Sequence, residues 1–511
     1  MDLQRFLHRR QYLLGPDYIM GHQNWKRFRL SEGFLLSVHP ELGVTQVSDG
    51  DNSLVLLGYI LDPLNPTFTD RQILTSLLRA CSTEERFFEA LDGLGGRFVL
   101  VSCIHGCWRV IHDAAGFRQV YYHTDLRGRL WVAGEVSLLV ENCGLEQDQE
   151  LRRELFSLPL FFSSQEFWYP SGLTLFRGAA RLLPNHYLDM QRGKAVRFWP
   201  RGTMRRYPLD TSIEYACSVI EGLMESAVNR FDTALGLTAG LDSRIVLAAS
   251  KDMRQQIYFF THTHPKLSSS GADITVPASI LARFGLRHNL VPELPVQGDR
   301  EFLSLINRNV VTARYSKVRN AYTMFKHFQE LGREFVVTNG VCGEVTRNFY
   351  LVPGVIKVDS RFLSLLAGMQ GSEKVEMALE GWLGDIRTRV ESQDHLLDLF
   401  YWEQRTGSWA AQSYSEYDIA FESFSPFNCR SLIEVSMGVR KELRRPPLYR
   451  LHREMIRRMW PQLLDWEINP QPQLFRRIAK ELKRTPLHSV VRTVRLLSRG
   501  GFLSMVRGGR R

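Results

Sequence analysis

No run of about 18 apolar residues occurs anywhere in the 511-residue chain, which leaves no segment that reads as a membrane-spanning helix. Cysteine is scarce: seven residues, at 81, 103, 107, 143, 217, 342 and 429, odd in number and scattered, exclude a disulfide framework. The closest pair, Cys103 and Cys107 around His105, has no second pair at ligand spacing. It reads as a β-hairpin turning at Ile104-His105-Gly106 rather than as a zinc site. Internal repeats and long low-complexity tracts are missing. Met1 to Arg10 is charged and precedes no apolar core with a small-residue cleavage site, so a soluble, cytoplasmic protein is expected.

What is present is ordinary globular composition, 44% hydrophobic and 23% charged, long enough for two to four domains at roughly 100–200 residues each. The net charge of +11 is concentrated at one end: from Arg476 to Arg511 eleven Lys or Arg face one acid, Glu481, a net of +10. That tail also carries Leu487, Val490, Val491, Val494, Leu496 and Leu497 at helical spacing. It reads either as a solvated end or as a basic amphipathic helix for an anionic membrane surface or an acidic partner, which would make the protein peripheral at the membrane.

From Phe34 to about Trp199, short alternating or apolar runs are broken by Gly, Asp and Pro: Leu54 to Leu61, Gly96 to Cys103, Cys107 to His112, Gln119 to His123, Leu130 to Gly134. These predict a largely antiparallel sheet assembly, interrupted by helices at Asp70 to Ala80, Thr83 to Leu91 and Glu150 to Phe156. The expected first domain, 1–200, is therefore a layered α+β unit. After Arg201 to Tyr207 the texture changes. A helix over Ser212 to Phe231 is followed by alternating strands (Ala234 to Leu237, Gln256 to Thr261, His288 to Val291) and helices (Ser243 to Ser250, Ile274 to Phe284). Such alternation predicts a doubly wound α/β domain over 201–475, with a helical C-terminal part that includes Tyr401 to Ala411 and Leu448 to Met459.

The chemistry is expected at Leu235-Gly-Leu237-Thr238-Ala-Gly240-Leu-Asp242-Ser243-Arg244, a buried strand that turns through small residues into a helix. Small residues let a backbone approach a phosphate, Thr238 and Ser243 bring hydroxyls, and free N–H groups at a helix start favour an anion. Asp242 makes sense beside polyphosphate as a magnesium ligand. The loop lacks the Gly-Lys-Ser/Thr ending of P-loop enzymes and the GxGxxG spacing of dinucleotide binders.

The loop resembles the Ser-Gly-Gly-x-Asp-Ser pyrophosphate loop of ATP pyrophosphatases, with Thr238 for the first Ser, Ala239 for the first Gly, and Gly240, Asp242 and Ser243 matching outright. Order along the chain extends the resemblance, over about residues 30 to 470, to the asparagine synthetase family. Leu94-Gly-Gly-Arg97-Phe98, Asp113-Ala-Ala-Gly116 to Tyr122 and Val132-Ala-Gly-Glu135 to Leu139 are similar to the class II glutamine amidotransferase domain that opens that family. Downstream, Ile257 to Thr261 resembles its adenine-side strand, and Asp273, Ala278, Leu281, Ala282, Gly285 and His288 its next helix and strand. Asn339-Gly340 to Tyr350 resembles Ser-Gly-Glu-Gly-x-Asp-Glu-x-Phe-x-Gly-Tyr, and Glu422 to Asn428 resembles Glu-x-Arg-x-Pro-Phe-Leu-Asp, with Arg453 in the helix that follows.

The resemblance implies an amidotransferase-like domain followed by an adenine nucleotide α-hydrolase-like domain that takes ATP and Mg2+. Asp242 and Glu344 would hold the metal as the catalytic pair. Leu237, Thr238, Gly240, Asp242, Ser243, Arg244, Thr261 and Gly340 would bind ATP. It also implies partners: a small-molecule or peptide carboxylate, and ammonia or a substrate amine. The pattern is broken at three places. Asp2 stands where the family's nucleophilic cysteine follows the initiator Met, Arg97 where an acid holds glutamine, and Val341 where a glutamate acts as base. No glutaminase activity is expected. The reading favoured is an AMP- and pyrophosphate-forming amide ligase. Behind it stand asparagine synthase in the strict sense, a non-catalytic scaffold of the same fold and, last, nucleic-acid modification. Nucleic acid is not an expected partner, and a homo-oligomer is compatible with the sequence.

The remaining features have plain readings. His262 and His264 end the adenine-side strand. Tyr401, Trp402 and Trp409 read as helix core, and Arg430, Arg440, Lys441, Arg444 and Arg445 as a solvated face. Lys317 or Lys480 would supply the cation that the family takes from an Arg-x-Lys.

Overall fold

In this computed structural model residues 3–470 are described except 32, 159–167, 266, 312–314 and 355, with 315–316 described in backbone only. Asp2 and the basic tail, Lys480 included, lie outside the described residues.

The first twelve strands are β1 (Tyr12–Gly15), β2 (Lys26–Ser31), β3 (Phe34–Val38), β4 (Val44–Asp49), β5 (Asn52–Leu61), β6 (Gly95–Ile104), β7 (Cys107–His112), β8 (Tyr121–Thr124), β9 (Leu130–Ala133), β10 (Ala179–Arg181), β11 (His186–Asp189) and β12 (Lys194–Arg197). They form two six-stranded sheets in the orders β10-β8-β9-β1-β3-β2 and β12-β11-β7-β6-β5-β4, antiparallel throughout. The side chains show why. Along β5, Val55 and Leu57 join Tyr12, Leu14, Leu36 and Val38 of the facing sheet in one core, whereas Leu54 and Leu56 join Ile73, Leu74, Leu77 and Phe88 of the covering helices. Successive side chains point to opposite faces, so a central strand covered on both sides is apolar at nearly every position. The helices Asp70–Arg79 and Glu84–Asp92 cover one sheet, and Val136–Cys143 covers the other. The result is a four-layer helix–sheet–sheet–helix stack. The β6–β7 turn has both His105 and Gly106 at positive φ (50° and 76°), the geometry of a tight hairpin.

The second architecture starts with the helix Leu209–Arg230 and five parallel strands: β13 (Thr233–Gly236), β14 (Tyr258–Thr263), β15 (Asn289–Pro292), β16 (Val336–Thr338) and β17 (Glu422–Phe424). Their order is β15-β14-β13-β16-β17. The chain runs outward from β13 to β15, then returns to lay β16 on the other side. The reversal puts a crevice at the carboxyl ends of β13 and β16, where open α/β sheets bind ligands.

Tyr401 to Ala411, expected as an ordinary helix, is a π-helix over Phe400–Ala410 that runs directly into the helix Ala411–Tyr417. Its wider turn keeps Tyr401, Trp402 and Glu403 all buried. Glu403 accepts both Nη atoms of Arg197 at 2.6 and 2.8 Å, Trp382 Nε1 at 2.7 Å and Asn185 Nδ2 at 2.9 Å.

The solvated face expected of Arg430, Arg440, Lys441, Arg444 and Arg445 is corrected at two positions. Arg430 is buried on Asp92 Oδ1 (3.0 Å) and Asn185 Oδ1 (3.0 Å), and Arg444 on Asp398 Oδ2 (2.7 Å). A buried guanidinium survives only when paired, and both are. Arg97 follows the same rule. Its Nη1 lies 2.5 Å from Asp418 Oδ1 and 2.6 Å from Glu422 Oε1, and its Nη2 2.9 Å from Asp418 Oδ2. Arg118 Nη2 adds a bond to Glu422 Oε2 at 2.7 Å. The two architectures are thus joined by a buried ionic cluster as well as by a shared apolar core. Among the described residues no helix is long and apolar enough to cross a membrane.

Candidate functional site

β13 delivers Leu237 to Gly240 into the crevice, and the helix Leu241–Ala249 begins directly behind Gly240. The loop is held from within. Thr238 Oγ1 accepts the Gly240 N–H at 3.1 Å and lies 3.1 Å from Ser243 Oγ, which also donates to Thr238 O at 3.2 Å. Asp273 Oδ1 accepts the Ala239 N–H at 2.9 Å and anchors the loop to the next helix, Ala272–Arg283. Leu237 contributes backbone alone, its side chain being part of the core.

From the other side of the crevice, β16 leads through Asn339 and Gly340 to Cys342. The left-handed backbone of Cys342 (φ 77°) swings the chain into the short 3-10 turn Gly343–Thr346. The two loops touch. A Cβ on Gly340 would stand 2.6 Å from Asp242 Cβ, and one on Gly343 2.9 Å from Asp242 Oδ1. Both positions therefore require glycine for the approach.

Arg347 closes the arrangement. Its Nη2 lies 2.7 Å from Asp242 Oδ2 and 3.4 Å from Glu344 Oε1, so one guanidinium bridges both carboxylates. Its carbon also sits 5.6 Å from the Tyr449 ring centre. Burial raises the Asp242 pKa to about 7; Arg347 opposes the rise and Glu344 adds to it. Burial works against the charge on Arg347, but Asp242 and Glu344 overcome it and hold its pKa above the ordinary value. Asp242 Oδ1 is buried with no hydrogen-bond partner among the described residues, an expensive state that a ligand would relieve.

Of the residues expected to act together, Thr238, Gly240, Asp242, Ser243, Gly340 and Glu344 do converge. Two residues expected to contact ATP have their side chains engaged elsewhere. The Arg244 side chain is buried and turned toward the chain after residue 460, where it donates to the carbonyls of Leu463 (3.3 Å), Trp466 (2.6 Å) and Glu467 (3.2 Å), and to Ala239 O at 3.4 Å. Thr261 Oγ1 is buried beneath the loop, donating to Leu237 O at 2.9 Å and meeting His288 Nε2 at 2.9 Å. Both side chains brace the loop. Lys317 lies over the rings of Trp409 and Tyr417, at 5.5 and 5.8 Å. His262 is pushed down to about 4, mainly by burial, so it is neutral at pH 7. Sequence reasoning missed Arg347. The signal for it was a basic residue three positions after Glu344, the spacing at which a helical turn pairs charges.

The donor set fits magnesium: two carboxylates, one carrying an unpaired buried oxygen, next to N–H groups at a helix start that suit phosphate oxygens. Asp242 and Glu344 would hold the ion.

No protein-family model and no curated protein matches the sequence. Among solved structures, the chain shows a remote likeness to a U34-tRNA thiolase NcsA from Methanococcus maripaludis, with 11% identity over 57% of this chain and 80% of that one and a TM-score of 0.24. A glutamine phosphoribosylpyrophosphate amidotransferase from B. subtilis shows 12% identity over 66% and 77%, with a TM-score of 0.24. An NH3-dependent NAD synthetase from Campylobacter jejuni shows 13% identity over 38% and 92%, with a TM-score of 0.20. Likeness at this level assigns no family.

Proposed function

We propose that the protein is an ATP-dependent, AMP- and pyrophosphate-forming amide ligase without glutaminase activity. The observation that carries this reading is the meeting of Asp242 and Glu344 across the crevice of a parallel sheet, beside a small-residue loop that opens a helix. In the proposed reaction a substrate carboxylate oxygen attacks the α-phosphorus of ATP. The bond from that phosphorus to the bridging oxygen breaks, and pyrophosphate leaves. An amine or ammonia then attacks the acyl carbon, AMP departs, and the nitrogen gives up a proton. Magnesium, when bound, would offset charge on the phosphates.

The chain's own residues supply the rest. The N–H groups at the start of Leu241–Ala249 face developing phosphate charge, with the hydroxyls of Thr238 and Ser243 beside them. Gly340 and Gly343 keep the two loops in contact, and Arg347 supplies a fixed positive charge between the carboxylates. Absence of glutaminase chemistry is supported by Arg97: a buried cation spent on Asp418 and Glu422 cannot serve as the carboxylate that holds a glutamine amino group.

The test is release of AMP and pyrophosphate from magnesium-ATP by the wild type and Asp242→Ala, with pooled carboxylates offered alongside ammonium, amino acids or glutamine. Stoichiometric AMP and pyrophosphate that require Asp242 and ammonium or an amine support the proposal. ADP and phosphate as products, or turnover that persists without Asp242, overturn it.

A further inference from the structure

A second cluster lies away from the crevice, where the chain's first residues meet both architectures. After the turn Leu3–Phe6, His8 adopts a left-handed backbone (φ 50°), a conformation costly outside glycine that persists only where its surroundings impose it. Here the His8 N–H donates to Asn309 Oδ1 at 2.7 Å, and Asn309 Nδ2 donates to Phe6 O at 2.9 Å. The segment is thereby tied to the helix Arg300–Asn309. The consequence is a fully buried imidazole aimed at the helix Val136–Cys143, with Nε2 3.1 Å from Glu141 Oε2 and Nδ1 lacking any hydrogen-bond partner among the described residues. His22 stands edge-on to it, ring centres 5.7 Å apart, on a loop held by Met20 N–H on Asn142 Oδ1 (3.4 Å) and packed on Trp25 (5.3 Å).

One ring nitrogen from each histidine and one carboxylate oxygen of Glu141 all lie within 4.8 Å of one another. We propose that His8, His22 and Glu141 form a binding site for a single divalent ion of the zinc class, clipping the N-terminal segment to the first architecture. Two imidazoles and a carboxylate are the borderline donor set that zinc takes at about 2.0–2.2 Å, whereas magnesium asks for an all-oxygen shell. The 3.1 Å separation of His8 Nε2 and Glu141 Oε2 is close to the edge of a tetrahedron built on such bonds, about 3.3 Å. Arg308 Nη2 approaches Glu141 at its other oxygen, Oε1, at 3.6 Å, and so leaves Oε2 to the ion. The ion would join residues 8, 22 and 141, far apart in sequence, and stabilise the folded chain by mass action.

The experiment uses the full-length protein stripped with chelator and titrated with Zn2+ against a chromogenic competitor, with metal content measured by mass spectrometry. Wild type should bind about one equivalent. His22→Ala should lose it, and Glu141→Gln should weaken it by more than about tenfold. His264→Ala and Asp242→Ala should retain it. Zinc should also raise the Tm of the wild type and not that of His22→Ala. Both site substitutions fall on partly exposed side chains, so the fold should be kept, as circular dichroism will show; should one variant misfold, the other decides. No zinc equivalent in the wild type, or one that survives both substitutions, overturns the proposal.

Discussion

Arg347 is the residue on which the character of the site turns. A single guanidinium stands between two carboxylates where the chemistry calls for a cation, so part of the resting site's negative charge is offset from within. Arg347→Met removes that charge and leaves Asp242 and Glu344 facing each other. The variant should bind Mn2+ in the absence of nucleotide at least about tenfold more tightly than the wild type, as read by electron paramagnetic resonance, and should release pyrophosphate more slowly. Unchanged Mn2+ affinity would show that the pair does not act as a metal site. Glu135 tests the other side of the same physics. It is buried, Oε1 has no partner among the described residues, and burial lifts its pKa to about 8, with Ser415 and Arg97 opposing and Asp418 and Glu416 adding. A carboxyl raised in the native state holds its proton while the unfolded chain loses its own. Its contribution is therefore fully present below about pH 4.5, fades as pH climbs, and is gone above about 8. Glu135→Gln should flatten that slope. Between pH 5 and 8.5 the wild type should lose more stability than the variant, by an amount on the order of a few kcal/mol, as urea unfolding at each pH will show.

At the scale of elements, the contact of the two loops is what converts separate motifs into a site. Gly340→Ala puts a methyl group 2.6 Å from Asp242 Cβ and 3.0 Å from Ser243 N, so the start of Leu241–Ala249 has to shift. The expected cost is about 1–3 kcal/mol of stability, together with a loss of nucleotide affinity larger than that stability change explains. Calorimetry on the folded variant checks it. The alternation of β13 to β15 with helices was legible in the sequence because short apolar runs, buried most fully in the central strand β13, stand between helical patterns. The loop after β13 was legible because only small residues permit its turn. β2 was not legible: Lys26–Ser31 is a largely exposed strand, rich in charge, and its place is set by pairing with β3 rather than by its own pattern. The π-helix was invisible for a related reason. It holds Glu403 against Arg197, some two hundred residues away, a pairing that local periodicity does not encode. The side-chain roles of Arg244 and Thr261 were hidden on the same ground, since their partners come from the chain after residue 460 and from Leu237 and His288.

At the scale of the molecule, the two architectures are welded by arginines. Arg97 was legible as a break in a resemblance, but its role as a clamp on Asp418 and Glu422 required the fold. Arg97→Asp would place a third carboxylate beside those two. It should not create glutaminase activity, and it should destabilise the protein by about 3–5 kcal/mol, the cost of leaving buried charge uncompensated. A lowered urea midpoint with no glutamate released from glutamine is the expected pair of results. Glutamate release would overturn the structural account of Arg97.

The central claim is that the crevice between β13 and β16 holds the polyphosphate of ATP. Its most direct test is equilibrium binding of α,β-methylene ATP, measured by calorimetry in the presence of magnesium, to the wild type and to Asp242→Ala. Binding of one equivalent by the wild type, weakened more than about tenfold by Asp242→Ala and dependent on magnesium, is the predicted result. No binding to the wild type, or equal binding to the two proteins, would contradict it.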